Sequence, residues 1–173
     1  MNPRRNAQAG VTIIELVIVV AVGAVLAAIA IPGLRDTLNS TRQTTALGLL
    51  MSDLNQARNE AIKRNVRVLV CASNNAATDC SGSTNWRGGW LVCFEGNVAN
   101  QCGASAPLAV PPIINPIIAR PPLTDSLTLT ASAAVIRFNP NSSSTSGTLT
   151  LGGTWSGAPN RVATVAVTGF ISK

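Results

Sequence analysis

Residues 4–35 read RRNAQAGVTIIELVIVVAVGAVLAAIAIPGLR. Two arginines, Arg4 and Arg5, open the stretch, and residues 16–34 carry no charge. About 20 apolar residues suffice to cross a bilayer as a helix. Glu15 breaks the pattern, standing at the start of the apolar run, five residues after Gly10. A carboxylate in lipid costs a few kcal/mol on insertion scales. An acid kept there needs a partner.

The stretch begins like a secretory signal and then departs from one. Its apolar run is too long, and no small-x-small cleavage site follows it. The small residue, Gly10, comes before the run instead. Arg4 and Arg5 assign residues 1–10 to the cytoplasmic side, with everything after residue 34 exported. Pro32, followed by Gly33, removes one helical hydrogen bond and is expected to kink the helix. Gly23, Ala21, Ala24, Ala27 and Ala28 offer small side chains where helices can pack closely. A plain membrane anchor also satisfies this composition.

Residues 35–65 become amphipathic. Leu47, Leu50, Leu54, Ala57 and Ala61 recur at spacings of three and four, which assigns them to one face. Asp53, Arg58, Glu60 and Lys63 are assigned to other faces. The helix is therefore expected to run to about Asn65, some 50 residues or roughly 75 Å at 1.5 Å per residue.

From residue 66 the period changes to two. VRVLVCAS (66–73) and GGWLVCFE (88–95) read as strands, followed by SLTLTA (126–131), AVIRFNP (134–140), GTLTLGG (147–153) and RVATVAVTGFIS (161–172). Six of the ten prolines lie in 106–123, an irregular loop or short edge strands. There Ile113, Ile114, Ile117 and Ile118 either cover a sheet edge or meet a neighbouring subunit. The pattern gives an α+β head, residues 66–173, with antiparallel sheet packed on the helical stripe.

Composition narrows the chemistry. No histidine exists among the 173 residues, which removes the commonest general base and metal ligand. The acids are scattered, and no Gly-rich phosphate loop follows a strand, so no enzyme and no cofactor are expected. The formal net charge is +6, with a modest cluster at Lys63, Arg64 and Arg67 that reads as a solvated helix end or an anion-facing patch. Trp86 and Trp90 suit core packing or loop anchoring more than ligand binding. Cys71, Cys80, Cys93 and Cys102 lack Cys-x-x-Cys spacing, so no metal is expected. An even count behind an export-type N-terminus points to disulfides. Nine-residue intervals make Cys71–Cys80 and Cys93–Cys102 the natural local pairs, with nested Cys71–Cys102 and Cys80–Cys93 as the alternative.

GVTIIELVIVVAVGAVLAAIAIP closely resembles the N-terminal signature of type IV pilins and pseudopilins. RNVRVLVC, NWRGGWLVCFEG, IRFNP and RVATVAVTGFISK resemble the GspH/FimT-like group of minor pilins and pseudopilins. The resemblance implies a pilin fold and a leader, residues 1–10, cut after Gly10 by a prepilin peptidase. It implies N-methylation of Val11, which stands where the family usually has Phe. It also places Glu15 at the assembly glutamate and Pro32 at the helix-kinking proline, and makes residues 11–34 the transmembrane and assembly half of the helix.

The implied partners are other major and minor pilins, through the N-terminal helix, and an inner-membrane assembly platform. The implied location is the inner membrane, with the head in the periplasm, and then a surface fibre. The leading functional expectation is a minor pilin at or near the tip of a type IV pilus, supporting assembly. A minor pseudopilin of a type II secretion system is the second. A DNA-binding minor pilin is the third. Related DNA receptors carry a C-terminal Gly-Arg-x-Arg element, whereas this chain has Gly169-Phe170-Ile171-Ser172.

Overall fold

A computed structural model describes residues 11–104 and 114–173. Gly10, the leader and Ile113 lie outside the described residues. By its internal contacts the chain divides into two compact units, residues 1–38 and Asn39–Lys173.

Helix α1 spans Ile13–Arg64, and its assignment continues unbroken through Pro32. In the first unit its apolar side chains are exposed all round. A helix apolar on every side is covered by lipid or by other helices. Its hydropathy and length fit a membrane span.

In the second unit the stripe Leu47, Leu50, Leu54, Ala57 and Ala61 is fully buried. Asp53 corrects the sequence expectation, being only 1% exposed. It lies three residues after Leu50 and four before Ala57, so helical geometry puts it on the buried face. The helix ends with Asn65 in the left-handed region at φ 53°. The Val66 N–H then donates to the Ala61 carbonyl, which satisfies one of the last free carbonyls of the helix.

The strands are β1 (Val68–Ala72), β2 (Trp90–Phe94), β3 (Ile118–Ala119), β4 (Leu127–Ala131), β5 (Val135–Phe138), β6 (Gly147–Gly153), β7 (Arg161–Val165) and β8 (Ile171–Ser172). They form two antiparallel sheets, ordered β3-β2-β1-β5 and β4-β6-β7-β8. Strands β1 and β2 are buried on both faces. Val68, Val70, Ala72, Trp90, Val92 and Phe94 join the helical core. Leu69, Cys71, Leu91 and Cys93 alternate with them and are also fully buried. In the second sheet, Leu127, Leu129, Leu149, Leu151, Ala163 and Val165 are buried, while Thr128, Thr130 and Thr148 face outward.

The segment 161–172 is read from sequence as one run, but it folds as a hairpin. Gly169, at φ +73°, turns the chain back so that Val165 pairs with Ile171. The Pro-rich region contributes β3 as an edge strand. Ile117 and Ile118 pack against the core there, whereas Ile114 is exposed.

Candidate functional site

Of the residues that the sequence assigns to processing and assembly, Val11 and Glu15 lie at the start of the described chain, and Pro32 lies farther along α1. Val11 and Thr12 precede the helix, and Glu15 occupies its first turn. The Glu15 backbone N–H donates to Thr12 Oγ1 at 3.3 Å. Thr12 thus caps the helix, with Glu15 three residues on, the Thr-x-x-Glu arrangement of a capping box. An acid in the first turn also faces the positive end of the helix dipole. Sequence reasoning missed Thr12, although TIIE carries the signal. Val11 lies just outside the helix.

The second unit is organised around Asp53. Arg120 Nε donates to Asp53 Oδ2 and Arg120 Nη2 to Oδ1, each at 2.8 Å. Trp90 Nε1 donates to Oδ2 at 2.9 Å. The carboxylate's hydrogen bond raises the Arg120 pKa above its ordinary value against the opposing effect of burial. One helical acid thereby ties α1 to β2 and to the segment following β3.

Trp86-Arg87-Gly88-Gly89-Trp90 makes this possible. Gly89 has φ +100°, and a Cβ there would lie 2.2 Å from the Arg120 carbonyl oxygen. Only a bare backbone lets the two segments come this close. Both tryptophans are buried, in keeping with core packing. The Trp86 N–H donates to the Leu129 carbonyl and the Ala131 N–H to that of Thr84, so this segment also closes the free edge of β4. Beside it lies an apolar groove of 290 Å³, lined in part by Leu49, Trp90, Pro121, Leu123 and Leu127.

Gln43 is a further residue that sequence reasoning passed over. It is fully buried, donates to the carbonyls of Leu151 and Pro159, and accepts from Arg161 Nε. No periodicity marks it, because its partners lie more than 100 residues away.

The basic cluster at the helix end is largely engaged. Arg64 pairs with Glu60 at 2.6 Å and lies over the Phe94 ring. Arg67 and Arg137 both pair with Glu95, at 2.7 Å each. Burial pushes the Glu95 carboxyl up. The Asn100 N–H, the Arg137 hydrogen bond and charge, and the Arg67 charge outweigh that and hold it below the usual carboxylate range.

The cysteines form Cys71–Cys80 and Cys93–Cys102 disulfides, the local rather than the nested pairing. The sulfurs of Cys80, Cys93 and Cys102 lie within 4.8 Å of one another, but each is already spent in a disulfide. Asp79 Oδ1 accepts from the N–H groups of Cys80 and Cys102, at 2.7 and 2.8 Å, and so clasps the two loops together.

Comparison with known proteins bears on both units. A family described as "Prokaryotic N-terminal methylation motif" matches residues 5–31. One described as "Type II transport protein GspH" matches residues 46–169. No curated protein gives a significant match in sequence. Two crystal forms of the Pseudomonas aeruginosa (strain PAO1) type IV minor pilin FimU are similar in fold. One is 19% identical over 75% of this chain and 90% of that one, with a TM-score of 0.53. The other is 18% identical over 76% and 87%, with a TM-score of 0.55. With both the methylation motif and most of the head matched, the chain belongs to the GspH-type family of type IV minor pilins and pseudopilins.

Proposed function

We propose that this protein is a minor pilin, a structural and non-catalytic subunit that enters a type IV pilus at or near its tip and supports assembly. The observation that carries this reading is a methylation motif at residues 5–31 on a chain whose fold resembles the minor pilin FimU. The subunit waits in the inner membrane on its apolar helix, with the head in the periplasm. A prepilin peptidase cuts after Gly10, and the Val11 amine is then methylated. Pro32 loosens the helix where it leaves the membrane. An assembly platform then draws the subunit out among other pilins.

Glu15 has no side-chain partner among the described residues, and it sits in a helix with no polar cover. A buried charge without its partner costs about 3–5 kcal/mol. Docking beside the N-terminal amine of a neighbouring subunit removes that cost and selects parallel, staggered addition. Replacing Glu15 by Ala is expected to leave leader removal intact while the chain fails to enter sheared fibres. Normal incorporation on immunoblots of those fibres overturns the pairing.

The matched description "Type II transport protein GspH" supports a second reading, a minor pseudopilin of a type II secretion system. Gene deletion separates the two. Loss of surface fibres supports the pilin, and normal fibres with blocked protein export support the pseudopilin.

A further inference from the structure

The two disulfides meet at their loop ends. Strands β1 and β2 supply Cys71 and Cys93, both fully buried. After each strand the chain returns to place Cys80 and Cys102, which are partly exposed. Cys80 lies opposite Ser73 and Cys102 opposite Glu95 in short antiparallel bridges. Asp79 Oδ1 accepts from the Cys80 and the Cys102 N–H, so a single oxygen holds these two backbones side by side. The Cys80 sulfur stands within 4.8 Å of both sulfurs of the Cys93–Cys102 bridge.

That proximity bears on how the bonds break. A disulfide is opened by a thiolate that attacks one sulfur and expels the other. Cys71 and Cys93 are screened from any external attacker, so attack from outside falls on Cys80 or Cys102. Freed from its bridge, the Cys80 side chain has one rotatable bond, Cα–Cβ, with which to align on the neighbouring disulfide.

We infer that the two bridges form one exchange-coupled unit, in which loss of either resolves to a single Cys80–Cys102 bridge between the loops 74–80 and 96–102. This chemistry is independent of the fibre reading above. A dithiol reductant opens Cys71–Cys80, becomes a disulfide itself, and leaves thiols on Cys71 and Cys80. Cys80 then gives up its proton to water, and its thiolate attacks Cys102 Sγ. The Cys93–Cys102 bond breaks, and Cys93 departs with the electron pair and takes up a proton. Should the reductant open Cys93–Cys102 instead, the Cys102 thiolate attacks Cys80 Sγ and expels Cys71. Both routes end in the same species, with thiols on Cys71 and Cys93 shielded in β1 and β2. Cys102 is the favoured partner because Asp79 sets its backbone beside that of Cys80, whereas Cys93 is fixed in the pairing of β2 with β1. The head thus takes up two electrons without releasing either loop.

The test uses the full-length oxidised chain in detergent, treated with a substoichiometric water-soluble phosphine, then acidified, alkylated with a maleimide and mapped by mass spectrometry. At about pH 8.5, where half of an ordinary thiol is ionised, the expected product is the Cys80–Cys102-linked peptide pair with label on Cys71 and Cys93. Its yield should be at least about tenfold lower at about pH 4.5, because exchange needs the thiolate. Dilution should leave the yield unchanged, because the step is intramolecular. Cys71→Ala and Cys93→Ala each fix one of the two routes, and both variants should carry the same linked peptide. Label confined to the two cysteines of one native bridge at about pH 8.5 overturns the inference. So does a Cys80–Cys93 product, or a mixture of all single-bridge pairings, which marks a chain that opened before it exchanged. A yield that falls on dilution assigns the exchange to contact between molecules and overturns it too, as does absence of the linked peptide from either variant.

Discussion

Asp53 shows how one side chain can be hidden from a pattern-based reading. Its spacing sets it on the buried face, yet a charged residue on an amphipathic helix is ordinarily assigned to solvent. What reverses that assignment is Arg120, 67 residues away, together with Trp90. Asp53→Ala leaves the Arg120 guanidinium and the Trp90 N–H without their acceptor. It should cost about 3–5 kcal/mol, read as a lowered midpoint in guanidinium denaturation. Glu95 makes a different prediction. Its carboxyl is held below the ordinary range in the folded state, so the folded chain keeps it ionised to lower pH than the unfolded chain does. That contribution is full above about pH 4.3, the unfolded value, and disappears as pH falls through the depressed folded value. Glu95→Gln should remove this part of the acid sensitivity, seen as a flatter dependence of unfolding free energy on pH below about 4.3.

The helix and most strands were legible at the level of elements, because periods of 3.6 and 2 are carried by residues such as Leu47–Leu50–Leu54 and Leu127–Leu129–Ala131. The hairpin within 161–172 was not. Alternation continues on both sides of the turn, and only Gly169 marks the reversal. Trp86 and Trp90 were legible as packing residues, but the bond from Trp86 to the second sheet depends on pairing between segments distant in sequence. Thr12 could have been found from its spacing to Glu15, whereas Gln43 could not. Gly89 carries the sharpest element-level prediction. Gly89→Ala forces a Cβ toward the Arg120 carbonyl at a φ that L residues avoid. A loss of about 2 kcal/mol or more is expected, visible as a depressed thermal midpoint.

Among the described residues, every member of the buried apolar core lies between Ala46 and Val165, within the unit Asn39–Lys173. A chain lacking residues 1–38 should therefore remain in solution, retain both disulfides and unfold in a single cooperative transition. Two separate denaturation steps, or an aggregated product, would contradict it. For the fibre subunit proposed above, the disulfides have a mechanical consequence. Each bridges a sequence separation of nine residues, and neither joins β1 to β2. Strand pairing, not covalent cross-linking, therefore sets the force at which the sheet opens. The bridges instead limit how far the opened chain can lengthen. At about 3.5 Å per extended residue they withhold roughly 50 Å of contour between them. They act as length limiters on a yielding subunit, not as rivets across its sheet.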